Sequence, residues 1–200
     1  MFFSFDGVDG AGKSTQIERF CQWLRAQGRD GVTCRDPGST PLGEQIREIL
    51  LGSKSPIHRR TEMLLFMAAR AQLVEELIRP ALAAGKFVVS DRFLLANIVY
   101  QAHAGGLDAD DVRAVGEVAI GGVFPAVTFL LDIDSEVAAK RIGRAPDRME
   151  AFGPDYLRRV RDGFLLEARQ RPQEIHVIDA ARDPDVIQAE IQAIASGHLQ

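Results

Sequence analysis

The residues best suited to chemistry in this sequence lie near its amino end, in a glycine-rich turn. Gly7 to Ser14 fit the pattern GxxxxGK[ST], whose backbone N–H groups cradle phosphates. The pattern predicts a nucleoside triphosphate site, with Lys13 at the β- and γ-phosphates and the Ser14 hydroxyl on Mg²⁺. The residues expected to contact ATP are Gly7, Val8, Asp9, Gly10, Ala11, Gly12, Lys13, Ser14 and Thr15.

The flanking elements are those that such a turn requires. An apolar run, 1–5, indicates a buried strand, and a helix-periodic stretch, 13–27, follows the turn. A strand, a glycine turn and a helix N-terminus together aim backbone N–H groups and a positive dipole end at one point. A chance glycine turn before a helix is the alternative, and the complete motif in this context argues against it.

The rest of the chain alternates short apolar runs with helix-periodic segments and contains no repeat or linker. The predicted strands are 1–5, 32–35, 86–90, 126–131 and 175–178. The predicted helices are 13–27, 41–51, 58–84, 108–120, 134–142, 154–171 and 183–195. This alternation predicts an α/β fold, a doubly wound, five-stranded parallel sheet flanked by helices, in a single domain over 1–200.

Charged residues follow two of the predicted strands, at the edge where such sheets bind ligands. Asp91 ends the third strand, where a carboxylate beside a phosphate loop can hold Mg²⁺ through water. Arg92 is next to it, and Arg35 ends the second strand, so forked cations are available for a second phosphate group. An ordinary ion pair at the strand end would also explain Asp91 and Arg92 on their own.

Composition narrows the class of protein. The chain has 200 residues, 46% hydrophobic and 26% charged, which suits one globular domain. Its net charge of −4 argues against a general nucleic-acid binder. Cys21 and Cys34 lack metal or redox spacing, and no apolar run is long enough to span a membrane, so a cytoplasmic protein with no membrane partner is expected.

Five segments carry a family resemblance when they are read in order. They are Gly7-Val8-Asp9-Gly10, the TREPGGT-like 34–40, the LLFxAxR-like 64–70, the DRYxxSxxAYQ-like 91–101 and the DRIE-like 147–150. Together they resemble the bacterial thymidylate kinases, a family of P-loop nucleoside monophosphate kinases, over nearly the whole chain. The resemblance implies transfer of the γ-phosphate of ATP to dTMP with Mg²⁺, and a homodimer, since relatives are homodimers.

The resemblance also implies a base pocket. It places the thymine ring on Phe66, has Arg70 donate to a base carbonyl, and lines the pocket with Asn97 and Gln101. A core position for Phe66 or a solvated helical face for Arg70 would explain either residue alone. Because Phe66 and Arg70 are four residues apart, both project from one face of a helix, as a shared ligand requires.

The sugar and the acceptor phosphate have implied partners as well. The resemblance places Tyr100 below the sugar, where its bulk disfavours a 2′-hydroxyl, and has Asp9 accept from the 3′-hydroxyl. It has Arg35 and Arg92 hold the monophosphate. Ser39, Phe93 and Ala96 depart from the usual family residues at the pocket and its rim, so kinase activity is predicted more firmly than strict dTMP preference.

The catalytic cations are expected to be Lys13, Arg92, Arg144 and Arg148. A polar segment of about 141–153 has the composition of a closing lid, and Arg141 is a further candidate there, although a solvated basic patch would look the same. This segment is shorter than the family pattern, so the resemblance alone does not single out one arginine.

Three other functions fit parts of the sequence. A deoxynucleoside kinase shares the sheet and the acid at the strand end, but its segments fit less well. A regulatory GTPase needs an NKxD segment, and the only asparagine, Asn97, is followed by Ile98. A nucleotide-binding relative without catalysis is opposed by the intact Lys13, Ser14 and Asp91.

Overall fold

A computed structural model of this chain describes residues 1–141 and 153–199. Its strands are β1 (Phe2–Asp6), β2 (Gly31–Arg35), β3 (Phe87–Asp91), β4 (Val127–Asp132) and β5 (Ile175–Asp179). They form one parallel sheet in the order β2-β3-β1-β4-β5, which confirms the predicted fold class. The order places β1 at the centre, so the phosphate loop leaves the middle of the sheet.

Helices cover both faces of this sheet. Within the described residues they are α1 (Lys13–Ala26), α2 (Pro41–Gly52), α3 (Arg59–Leu73), α4 (Arg79–Ala83), α5 (Leu94–Asn97), α6 (Ala109–Ile120), α7 (Ser135–Arg141), α8 (Pro154–Gln170) and α9 (Pro184–His198). The predicted helix 58–84 is divided by a π-helical turn, Val74–Ile78, just before Pro80. Proline lacks an N–H and crowds the carbonyl four residues earlier, which disfavours a regular helix there.

One helical region was missed by the sequence analysis. After β3 the chain forms α5 and then a π-helical turn, Ile98–His103. Residues 93–102 are all buried, so this segment has no polar face to reveal a helical period. Three residues predicted to bind dTMP lie in this segment: Asn97 and Gln101 at the base and Tyr100 at the sugar.

The core has one layer on each face of the sheet. On one face, Phe3 packs against Phe20 of α1 with 5.1 Å between the ring centroids, and Phe5 packs against Phe129 at 5.0 Å. On the other face, Phe2 packs edge-on against Phe93. Close-packed aromatic rings on both sides hold the ends of the strands, from which the site residues project.

The cysteines belong to this core. Cys21 and Cys34 are free and buried, and burial raises the pKa of Cys34 to about 12. A thiol with so high a pKa is unreactive at neutral pH, which fits a packing role. No helix in the two described ranges has the length and apolar character needed to cross a membrane.

Candidate active site

The phosphate loop connects the end of β1 to the start of α1. Gly10 has a φ of +83°, and a Cβ there would lie 2.2 Å from the carbonyl oxygen of Ala138. Gly12 has a φ of +92° and immediately precedes α1, and a Cβ there would meet nothing within 4 Å. The loop is therefore pressed against α7 on one side and open at the helix N-terminus, where an anion is favoured.

Lys13 lies inside the loop. Its Nζ donates to the carbonyl oxygens of Gly7 and Val8, both at 3.1 Å, and lies 3.5 Å from Asp9 Oδ1. Burial and the neighbouring Arg92 lower its pKa. The ammonium is thus held among weak acceptors, which a phosphate oxygen can replace with a stronger interaction.

Two predicted metal ligands face the cavity in front of the loop. This phosphate-loop cleft, about 1350 Å³ with its open mouth, is lined by Asp9, Gly10, Ala11, Gly12, Lys13, Ser14, Thr15, Gln16, Asp91, Arg141, Ala180, Arg182, Pro184 and Ile187. Ser14 is exposed there, and Asp91 has a buried Oδ1 without a hydrogen-bond partner. An unpaired carboxylate oxygen beside a hydroxyl is a donor set that fits Mg²⁺.

Arg92 joins β3 to the loop through a forked contact. Its Nη1 donates to the carbonyl oxygen of Gly7 at 2.9 Å and its Nη2 donates to Asp9 Oδ1 at 2.8 Å. The guanidinium also lies over the ring of Tyr100, 5.1 Å from the centroid. The backbone of Arg92 has a φ of +70°, a left-handed conformation that is costly for a side-chain-bearing residue and is typical of functional sites.

Asp9 stands between these two cations. Burial alone would raise its pKa, but Arg92 and Lys13 outweigh burial and hold the pKa below its usual range. Asp9 is therefore ionised at any physiological pH. It lines both the phosphate-loop cleft and a second cleft, so the two cavities meet at this carboxylate.

We call the second cleft the Phe66 cleft, because the ring of Phe66 forms part of its lining. It encloses about 630 Å³ and is lined by Asp9, Asp36, Pro37, Arg47, Leu51, Phe66, Arg70, Arg92, Ala96, Asn97, Tyr100 and Gln101. Phe66 is half-buried on α3, and Arg70 lies one turn along the same helix. A flat apolar ring beside a cation and two amides suits a heterocyclic base.

Arg70 is held in this cleft by a partner that the sequence analysis did not name. Its Nε donates to Asp36 Oδ2 at 2.5 Å, and both side chains are almost completely buried. Its remaining nitrogens contact Met67 Sδ and the carbonyl oxygen of Phe93. Asp36 follows β2 in the turn before α2, so its place at the end of a strand was the available signal.

Three residues of the missed helical region meet in the same cleft. Asn97 donates to Gln101 Oε1 at 2.7 Å, and both side chains are buried. The Tyr100 hydroxyl accepts from Arg92 Nη2 at 3.3 Å. Asn97 ends α5, and the other two residues lie in the π-helical turn, which brings all three to one wall.

The cations of the cleft differ in part from those expected. The predicted Arg35 does not line the cleft; its half-exposed side chain pairs with Glu44 at 2.7 Å. Arg47 of α2 lines the cleft and donates to the carbonyl oxygen of Pro37 at 2.8 Å. Leu51 also lines the cleft one helical turn later, so this four-residue spacing in the predicted helix was the available signal.

The far wall of the phosphate-loop cleft also carries cations. Arg141, the candidate at the start of the expected lid, lines this cleft and donates to the carbonyl oxygen of Ala180 at 3.2 Å. Arg182 lines it from the loop before α9 and is paired with Glu190. The predicted catalytic residues Arg144 and Arg148 and most of the expected lid lie outside the described residues.

Comparison with known proteins gives consistent matches. A model of the thymidylate kinase family matches residues 5–191. A thymidylate kinase of Rhodopirellula baltica is 48% identical over 191 residues, which are 96% of this chain and 78% of that protein. One from Thermosipho africanus is 40% identical over 201 residues and all of both chains, and one from Symbiobacterium thermophilum is 44% identical over 97% of this chain and 92% of its own.

A solved structure is similar over the same extent. The crystal structure of a thymidylate kinase from Ehrlichia chaffeensis superposes with a TM-score of 0.80 and is 29% identical. The match covers 98% of each chain. The similarity therefore includes the sheet, the phosphate loop and the elements that form both clefts.

Proposed function

We propose that this chain, which belongs to the thymidylate kinase family, transfers the γ-phosphate of ATP to dTMP and releases dTDP and ADP. The observation that carries the proposal is the junction at Asp9 of the phosphate-loop cleft and the Phe66 cleft. Phosphoryl transfer needs two nucleotides aligned end to end with their charges neutralised, and little covalent help beyond that. Two clefts that share a carboxylate and an arginine-lined junction meet this need.

The donor is held at the phosphate-loop cleft. The loop amides and the α1 N-terminus bind its phosphate oxygens, and Lys13 exchanges the carbonyl oxygens of Gly7 and Val8 for the β- and γ-phosphates. Ser14 and Asp91 are the residues that would hold Mg²⁺, and the ion would supply neutralisation of the charge on the donor phosphates.

The acceptor is held at the Phe66 cleft. The base stacks on Phe66, and Arg70, Asn97 and Gln101 contact its polar edge. Arg92 binds the monophosphate and positions the oxygen that attacks the γ-phosphate. Among the cations near the acceptor, Arg47 fits better than Arg35, because Arg47 lines the cleft and Arg35 does not.

The Tyr100 and Asp9 side chains set the sugar. Tyr100 lies below the predicted sugar position, where its ring disfavours a 2′-hydroxyl, and its hydroxyl is already engaged by Arg92. Asp9 accepts from the 3′-hydroxyl, and the same carboxylate binds Arg92. Contacts shared in this way connect sugar recognition to the position of the catalytic arginine.

Three further properties are part of the proposal. A homodimer is supported by exposed apolar side chains on adjacent helices, Leu64 of α3 at 48% and Val118 of α6 at 83%. One kinase domain over 1–200 with a lid at about 141–153, where Arg144 and Arg148 serve the transferred phosphate, stays a prediction. A cytoplasmic location likewise stays a prediction from the reduced cysteines.

The decisive experiment measures the release of ADP from ATP and Mg²⁺ with each of a panel of acceptors. The panel is dTMP, dUMP, dCMP, dGMP, UMP, AMP and thymidine. We expect dTMP to have the highest kcat/KM and the ribonucleotides to be poor substrates. Turnover of thymidine without turnover of dTMP would assign the chain to the nucleoside kinases instead, and no ADP release with any acceptor would refute the kinase assignment.

A further inference from the structure

Behind the Phe66 cleft, three buried polar side chains form a hydrogen-bonded row. Gln101 Nε2 donates to Glu62 Oε1 at 3.0 Å, and Asn97 Nδ2 donates to Gln101 Oε1 at 2.7 Å. Their exposed fractions are 0% for Glu62, 1% for Gln101 and 2% for Asn97. Glu62 lies on α3 one turn before Phe66, and Arg59 supplies its countercharge at 3.1 Å.

The direction of both hydrogen bonds in this row follows from Glu62. A carboxylate can only accept, so Gln101 must turn its NH₂ group toward Glu62. Its carbonyl oxygen then faces Asn97 and must accept, so Asn97 must donate through its own NH₂ group. The two amides therefore have one orientation each, although an amide on its own can be rotated by 180° with little change in shape.

With both amides oriented in this way, one polar atom is left for a ligand. Asn97 lines the Phe66 cleft, and its Oδ1 is buried without a hydrogen-bond partner. A buried carbonyl oxygen without a partner costs free energy unless a ligand donates to it. The side chain of Asn97 thus offers a hydrogen-bond acceptor to the cleft, because its NH₂ group already donates to Gln101.

We propose that Glu62 is a positioning residue that sets base specificity by fixing Asn97 as a hydrogen-bond acceptor. The inference rests on the proposed function. A pyrimidine that carries a hydrogen on N3, such as thymine or uracil, donates to Asn97 Oδ1. A pyrimidine that carries a lone pair on N3, such as cytosine, brings two hydrogen-bond acceptors together, N3 and Asn97 Oδ1. That contact is strongly disfavoured in a site without water.

The test compares dTMP with 5-methyl-dCMP, which keeps the ring methyl group but has a lone pair on N3. In Glu62→Met the acceptor is replaced by an apolar side chain of similar length, so Gln101 and Asn97 can both turn over. We expect the kcat/KM ratio of dTMP to 5-methyl-dCMP to fall at least about tenfold, because Asn97 can then present its NH₂ group. The KM for ATP should stay within about twofold of the wild type.

The matched control is Glu62→Gln. It removes the same charge but keeps an amide oxygen that can accept from both Gln101 and Arg59. We expect it to retain the wild-type ratio within about threefold. Equal falls in Glu62→Met and Glu62→Gln would assign the effect to charge, and no fall in either would show that the ratio is set elsewhere; both results overturn the inference.

A measurement without substitution guards against a variant that fails to fold. Neutron diffraction from deuterium-exchanged wild-type crystals shows the hydrogens of each amide directly. We expect deuterium on Gln101 facing Glu62, and on Asn97 facing Gln101. Deuterium on Asn97 facing the cleft would overturn the inference. If the wild type turns over no dTMP, the proposed function fails; if it does but the ratio ignores Glu62, only this inference fails.

Discussion

Arg92 Nη2 and Asp9 Oδ1 are 2.8 Å apart, and this ion pair connects the end of β3 to the phosphate loop at the junction of the two clefts. The same guanidinium donates to Gly7 through its other nitrogen. One side chain thus fixes the loop, the shared carboxylate and the predicted position of the acceptor phosphate. Small displacements of this group are expected to misalign the two substrates.

Arg92→Lys tests this arrangement. Lysine keeps the positive charge but has one nitrogen, so it cannot contact Gly7 and Asp9 in the forked geometry while binding phosphate. We expect kcat/KM for dTMP to fall about 100-fold in steady-state assays, with little loss of stability. Arg79→Lys, an exposed arginine that pairs with Glu75 outside both clefts, is the control and should keep kcat/KM. Equal values for the two variants would contradict the alignment role.

Lys13→Ala tests the donor site. Lys13 Nζ contacts only loop carbonyls and Asp9 among the described residues, so its loss removes a cation from the phosphates without opening the core. We expect turnover to fall by at least about 1000-fold, with an unchanged thermal midpoint. Lys86→Ala is the control, because Lys86 lies at the other end of β3 in an exposed pair with Asp30. Normal turnover in Lys13→Ala would refute the donor-site assignment.

The sequence predicted the parts of this molecule that local patterns encode. Both bounds of each of the five strands lie within one residue of the predicted ones, because short apolar runs mark these strands between helix-periodic segments. The strand order and the division of 58–84 by a π-helical turn depend on packing between distant segments, which periodicity does not contain. The fully buried helical region after β3 was missed for the related reason that it lacks a polar face.

The functional site likewise has some parts that local sequence predicts and others that depend on contacts between distant segments. The phosphate loop was predictable because its chemistry needs consecutive residues. Asp36 and Arg47 were missed as cleft residues, since their roles come from partners far along the chain, such as Arg70. Arg35 has the right type and strand position, but its pairing with Glu44 was not readable from the sequence alone.

Arg70→Ala separates base recognition from donor binding. We expect the KM for dTMP to rise at least about tenfold while the KM for ATP changes less than about twofold. The free energy of unfolding should also fall by about 3 kcal/mol or more, because Asp36 is left as an unpaired buried carboxylate.

Arg60→Ala is the matched control on the same helix, since Arg60 is exposed and does not line the cleft. It should change neither KM nor stability measurably. A larger change in the KM for ATP than for dTMP in Arg70→Ala would show that the base pocket has been assigned to the wrong cleft.

Glu167→Gln tests what holds the wall of the Phe66 cleft in place. Glu167 of α8 is completely buried and bonded to His103 at 2.6 Å and to Arg113 at 2.5 Å, which ties α8 to the π-helical turn and to α6. We expect urea unfolding to show a loss of about 3 kcal/mol or more, because an amide carries no charge to balance Arg113. Glu75→Gln, in an exposed pair with Arg79, should cost less than about 1 kcal/mol. Similar losses in both variants would contradict the structural role of Glu167.

Asp6 gives the protein a stability that depends on pH. It ends β1, is fully buried, and neither carboxylate oxygen has a hydrogen-bond partner among the described residues. Burial, aided by Asp91, raises its pKa to about 7 against the opposing effect of Arg92. The folded chain therefore keeps a proton that the unfolded chain releases near pH 4. As the pH rises from about 4 to about 7, the free energy of unfolding should fall by roughly 4 kcal/mol through this group and then level off.

Asp6→Asn removes this titration and keeps the shape of the side chain. We expect the variant to gain stability relative to the wild type as the pH rises from 5 to 8 in urea unfolding series. Every other titratable group is present in both proteins, so its contribution cancels in the difference. A difference between variant and wild type that stayed constant over this range would show that Asp6 is already ionised in the folded protein at pH 5. Its buried charge would then have to be balanced by Arg92 and Lys13, the two cations that most lower its pKa.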